Sequence, residues 1–202
     1  RRQRQMCIRD SNGTDNQVSG SANQNLYVEG KWLVPSKAGS WDFSRIRAFN
    51  YFFENVLPKY EAGEISGDAI LIRHYIGEAY FLRAYEYFIK LQTFGDFPII
   101  TRTYPDSKDE LIEASKRSPR NKVARFILDD LDKAIDLMSN DVFSRNRVTK
   151  DAALLFKSRV ALYEASYETY HRGTPRVPGE SGWPGATMGY NDDFTIDLKA
   201  EI

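Results

Sequence analysis

Two histidines, His74 and His171, lie almost a hundred residues apart, and Cys7 is the only cysteine. A metal site draws several His, Cys, Asp or Glu side chains to one point and is usually announced by short spacings, while a disulfide needs a second thiol. Neither pattern occurs, so the sequence predicts no metal site and no cofactor. There is no Gly-x-Ser-x-Gly elbow, no P-loop and no Gly-x-Gly-x-x-Gly turn. Glu61 and Glu64, and Asp192 and Asp193, are paired carboxylates in the sequence. Both pairs fall in loops without an apolar pocket to separate their pKa values, which acid–base cleavage of a glycosidic bond requires. No catalytic residue emerges, and the expectation is a protein that is not an enzyme.

Binding chemistry is better represented. Saccharides present C–H faces that stack on aromatic rings and hydroxyls that pair with Asn, Asp and Arg, so their sites use loop aromatics. Trp32, Trp41 and Trp183, with Tyr190 behind them, fit that description. The same rings also serve ordinary core or loop packing, and the sequence leaves both uses open. The formal net charge is zero, from 28 basic and 28 acidic residues, which gives no electrostatic footprint for nucleic acid. Aromatics make up 13% of the chain and argue against disorder. No apolar run reaches the length of a membrane span, and no signal-peptide core is present.

The elements that must position these residues are helical. The 21 residues from Glu78 to Pro98 organise the rest. Arg83, Glu86 and Lys90 fall on one narrow stripe, while Tyr75, Ala79, Phe81, Leu82, Ala84, Tyr85, Phe88, Ile89 and Leu91 occupy most of the remaining circumference. A helix so apolar is expected to be packed on several sides. It begins after Asp68, a fitting N-cap, and ends at Gly95, which supplies a left-handed position. Before it, Phe43, Ile46, Phe49, Phe53, Val56 and Leu57 recur at helical spacing, and Pro58 is expected to stop that helix. A charged loop with one short helical turn spans 101–117. Ser118 as cap and Pro119 in the first turn open a helix with Val123, Phe126, Ile127, Leu131, Ala134, Ile135 and Met138 on its inner stripe. The acidic run from Asp129 to Asp132 reads as a solvated face, and His74 as a surface or partly buried side chain. Thr149 caps the last helix, whose inner stripe is Ala153, Phe156, Val160, Tyr163, Tyr167 and Tyr170. Helices are thus expected at about 41–57, 68–94, 119–139 and 150–172, in two pairs with small residues facing large ones.

Several strings in this frame resemble one family. Glu78-Ala79-Tyr80-Phe81-Leu82-Arg83-Ala84-Tyr85-Glu86-Tyr87-Phe88, followed by Phe94-Gly95-Asp96-Phe97-Pro98-Ile99-Ile100, closely resembles the signature of SusD/RagB proteins. Trp41 through Ile46-Arg47 to Asn50, Asp130-Leu131 to Ala134, and Arg159-Val160-Ala161-Leu162-Tyr163-Glu164-Ala165 are similar to further strings of that family, in the same order, over about residues 40–170. The resemblance implies an all-α fold of TPR-like antiparallel helix pairs with long irregular loops. It implies a surface lipoprotein that binds oligosaccharide or another nutrient for a SusC-like TonB-dependent transporter, facing outward at the outer membrane, without cofactor or nucleic acid. It favours Trp41 among the aromatics, because the family often places ligand contacts near this helix entry. Membrane attachment would come through a lipid anchor missing from this chain, since Gln5-Met6-Cys7 lacks the small residues of a lipobox. The expected organisation is an adapter-like, non-native head at 1–10, a loop-rich segment at 11–39, the helical core at 40–172, and at 173–202 the loop-rich start of a missing C-terminal part. A generic TPR-like interaction module, self-capped at both ends, is the alternative.

Overall fold

The computed structural model describes residues 41–140 and 147–188. Trp32, Tyr190, Cys7, Asp192 and Asp193 lie outside the described residues. The chain separates into two units, 1–42 and 43–202, and of the first only Trp41 and Asp42 are described.

The second unit is all-α among its described residues: α1 (Ser44–Glu61), α2 (Ala69–Phe94), α3 (Lys108–Ala114), α4 (Arg120–Leu137), α5 (Lys150–Tyr170) and a 3-10 turn at Pro184–Met188. An isolated antiparallel bridge joins Phe97 to Ser118. The expected caps form. Asp68 Oδ1 accepts from the N–H groups of Ile70 and Leu71, Thr149 Oγ1 accepts from Ala152, and Gly95 closes α2 at φ +71° with its N–H on the Leu91 carbonyl.

Two boundaries differ from the sequence reading. Pro58 does not stop α1, which continues to Glu61, closed by the Ala62 N–H on the Pro58 carbonyl at 3.0 Å. The proline forfeits only the bond to the Glu54 carbonyl, and both residues are exposed, so water replaces it. Ser118 does not cap α4 with its side chain; its backbone pairs with Phe97. The cap comes from Asp96, whose Oδ1 accepts the Arg120 N–H at 2.9 Å.

α2 is central, packing most extensively on α4 and less on α1, while α5 packs on α4. The core joins Ile46, Tyr87, Leu91, Phe97, Val123, Ile127, Leu128, Leu131 and Val160, with Phe43, Phe81 and Phe156 at its margin. At Gly77 the α2 backbone comes so close to α4 that a Cβ would meet Met138 Cγ at 2.6 Å and the Ala134 carbonyl at 3.1 Å. The packing around α2 inverts part of its pattern. Arg83, Glu86 and Lys90 are buried, whereas Tyr75, Leu82 and Tyr85 from the apolar set are exposed. On α5 the buried face is centred on Ala153, Val160, Ala161, Glu164 and Ala165. Phe156, Tyr163 and Tyr167 therefore form a half-buried flank, and Tyr170, at its far edge, is 85% exposed rather than part of the inner stripe.

Candidate functional site

Charged residues fix how the helices meet. Arg83 on α2 donates through Nε and Nη2 to the two carboxylate oxygens of Asp130 on α4, at 2.7 and 2.8 Å, and through Nη1 to Asn50 Oδ1 on α1 at 2.9 Å. Its guanidinium carbon also lies 4.5 Å from the Phe53 ring centroid and 5.2 Å from that of Phe126. Asp130 is fully buried, which corrects the reading of its acidic run as solvated; Asp129 and Asp132 are exposed as expected. Helical phase explains the split, because only one position in the run faces α2. Burial raises the pKa of Asp130 above its ordinary value, against the lowering effect of Arg83.

Asn50 extends this network to the strand-like segment after α2, donating to the carbonyls of Ile100 and Arg102 at 2.9 and 3.3 Å. Tyr87 grips the same segment, its hydroxyl donating to the Ile100 carbonyl and accepting the Ile100 N–H. Burial pushes the Tyr87 hydroxyl far above its ordinary pKa. His74 is also buried, at 2% exposure, and not a surface side chain; Nδ1 accepts the Ser139 N–H at 3.3 Å. Its Nε2 lies 3.6 Å from Glu78 Oε1 without a hydrogen bond, and Glu78 is held by Arg147. Arg83 and Asp130 thus join α2 to α4, while Asn50 and Tyr87 hold the segment that follows α2.

A cleft of about 310 Å3 opens elsewhere, where the ends of α2, α4 and α5 meet the turns that follow α5. Asp96, in the Phe-Gly-Asp-Phe-Pro string, organises it. One carboxylate oxygen caps α4 and the other accepts Trp183 Nε1 at 3.2 Å. Trp183 is therefore placed in the cleft wall, yet it is buried at 4% exposure and is not the exposed loop ring that the sequence suggested. Gly185 packs flat on its ring, with a Cβ there falling 2.1 Å from Cζ2. Arg120 donates through Nε and Nη2 to Glu164 at 2.6 and 2.7 Å, and its guanidinium lies 3.3 Å from the Tyr167 ring centroid. Burial opposes the Arg120 charge, but the hydrogen bonds and charge of Glu164 outweigh it and the pKa is raised. Arg117 and Arg176 stand exposed on the lining.

Of the aromatics named from sequence, Trp41 is partly exposed, at 36%, just before α1. Trp183 lines the cleft. Asp96, Arg120, Glu164 and Tyr167 join the site without a site signal of their own in the sequence, although Asp96 and Glu164 lie within the family-like strings. Nothing local marks Arg120 as their partner, because its contacts come from residues 24 and 44 positions away. Among the described residues no helix is long and apolar enough to cross a membrane, and no three His, Cys, Asp or Glu side chains gather as metal ligands.

Paired helices pinned by buried ion pairs, with a polar and aromatic cleft at one end, define an all-α scaffold. The sequence profile of a SusD-like family, described as starch-binding and associating with the outer membrane, matches residues 8–162. The chain belongs to this SusD-like family, and its fold is the TPR-like helical one expected. It is 30% identical over 107 residues to SusD-like protein P2 of Formosa agariphila, a match covering 53% of this chain and 21% of that protein. With SusD-like protein P38 of the same organism the identity is 32% over 97 residues, covering 46% and 18%. Among solved structures, a SusD-like protein of Bacteroides fragilis is 31% identical with a TM-score of 0.50, and a SusD homolog of Bacteroides thetaiotaomicron is 29% identical with a TM-score of 0.51. Each match covers 61% of this chain and 23% of the other. The chain thus spans about a fifth of the length of the curated relatives it matches.

Proposed function

We propose that this chain is part of a non-catalytic surface lipoprotein that captures oligosaccharide and hands it to a SusC-like TonB-dependent transporter of the outer membrane. The observation that carries the reading is the family match over residues 8–162, whose description joins starch binding to the outer membrane. The helices serve as scaffold, and the loops and turns between and after them supply ligand contacts. Trp41 is the foremost contact, since it stays partly exposed, at 36%. Trp32, Trp183 and Tyr190 complete the proposed set.

Affinity electrophoresis against a panel of polysaccharides tests the capture step. Retention by one polysaccharide class is expected, and Trp41→Ala should reduce it while leaving the thermal transition in place. Absence of retention by every polysaccharide would reject capture, and loss of the transition in the variant would assign Trp41 to packing. Co-purification from outer membranes tests the transporter, which is expected to accompany the tagged protein.

A second reading, a module that binds a polypeptide, is favoured by the apolar side chains left exposed on α2 and α5, notably Tyr85, Leu155, Leu162 and Tyr170. It predicts peptide retention without glycan retention.

A further inference from the structure

We propose that the cleft between the end of α2, the start of α4 and the turns after α5 binds an acidic saccharide unit through its carboxylate or sulfate group. The inference deepens the glycan-capture reading and rests on it. Three arginines line the cleft, Arg117, Arg120 and Arg176, against one carboxylate, Asp96. Both Asp96 oxygens are already engaged, one by the Arg120 N–H and one by Trp183 Nε1, so this carboxylate acts as a brace.

Arg120 is 4% exposed and locked by the two bonds to Glu164 and the Tyr167 ring. Its remaining nitrogen, Nη1, stands beside Gly95 on the cleft lining, close enough that a Cβ there would lie 3.6 Å away, and it donates to no group among the described residues. A buried guanidinium with two donors held and the third directed at a cleft is a preorganised donor for an oxyanion. Glu164 balances the charge of Arg120, so the attraction for an anion comes from Arg117 and Arg176 at the rim. Guanidinium groups match carboxylate and sulfate oxygens in planar, two-point geometry. Half-buried Phe94 and the prolines Pro175 and Pro184 offer apolar surface for C–H faces. A volume of about 310 Å3 is at the small end of the range for ligand pockets, roughly 300–1,000 Å3, which suits a single sugar unit.

The test is calorimetric titration at low and high NaCl with three probes: oligogalacturonate, a sulfated galactan oligosaccharide and neutral maltoheptaose. An acidic probe should bind about tenfold or more tightly than the neutral one, with affinity falling as salt rises. Whichever acidic probe binds identifies the group as carboxylate or sulfate. Arg176→Gln and Arg117→Gln should each weaken the acidic probe about tenfold, and Arg172→Gln, the same charge change outside the cleft, should leave it unchanged. Both rim arginines are exposed, so an unchanged circular dichroism spectrum is expected. Equal binding of neutral and acidic probes, or equal effects of all three variants, would overturn the inference while leaving glycan capture standing. No binding of any saccharide, here and in the polysaccharide panel, would overturn both.

Discussion

Arg83 is paired by Asp130, hydrogen-bonded by Asn50 and flanked by the Phe53 and Phe126 rings, all within the interior. Removing one partner of such a pair leaves the other charge buried and uncompensated, which costs about 3–5 kcal/mol. Arg83→Ala should therefore lower the unfolding free energy by about that amount in urea denaturation. Replacing both partners, as Arg83→Met with Asp130→Leu, should recover a large part of the loss, because no charge then remains to be desolvated. A second residue-scale prediction concerns Glu54. Its carboxylate accepts the Thr103 hydroxyl at 2.6 Å and the Thr103 N–H at 2.7 Å, and these bonds hold its pKa below the ordinary 4.5. A carboxyl depressed in the folded state stabilises above its unfolded pKa and loses that contribution as pH falls through the folded value. The melting-temperature gap between the natural protein and Glu54→Gln should be full above pH 4.5 and close as pH drops below it. A gap independent of pH would exclude ionisation of Glu54 as the source.

The contact between α2 and α4 depends on Gly77 lacking a side chain. A valine there would meet Met138 Cγ and the Ala134 carbonyl together, and only the first can move. Overpacking of this kind costs about 1–3 kcal/mol, so Gly77→Val should destabilise by that order in urea denaturation. Adding Met138→Ala should offset part of the cost, since the two positions share one space. Strict additivity of the two changes would show that the helices do not meet at this point. The end of α2 depends equally on its neighbours. Gly95 allows the chain to turn, Asp96 then caps α4 and orients Trp183, and Phe97 pairs with Ser118 and stacks on Phe43 and Phe94. Three consecutive residues of one string, Gly95 to Phe97, thereby tie α2, α4 and the turns after α5 to the cleft.

Across the unit from residue 43 onward, buried charge and exposed apolar surface occur side by side. Leu155 and Tyr170, at 74% and 85% exposure, face outward, while Arg83, Asp130, Arg120 and Glu164 face inward. Stability should follow burial and not hydrophobicity. Leu155→Ser is expected to change the unfolding free energy by no more than about 0.5 kcal/mol, against the several expected for Arg83→Ala. A large loss at Leu155 would mean that its face is covered within the folded chain.

The helical class, the positions of the long helices and most of their caps are legible in the sequence. Asp68, Gly95 and Thr149 act on backbone groups within a few residues, and helical periodicity is a local property. The ordered strings from Trp41 to Ala165 were also legible, and with them the SusD-like family. The partners of Arg83, Arg120 and Asp96 were not legible, because they lie 24 to 87 residues away. Phase along one helix tells which residues share a side but not whether that side meets solvent, a charge or a ring. For that reason the pattern alone leaves Asp130 and His74 too exposed and Tyr170 too buried. The same limit applied to Trp183, whose Gly- and Pro-rich surroundings suggested an open loop. Only tertiary structure brought Asp96 to its indole N–H and Gly185 to its face, and so turned it into a wall of the cleft.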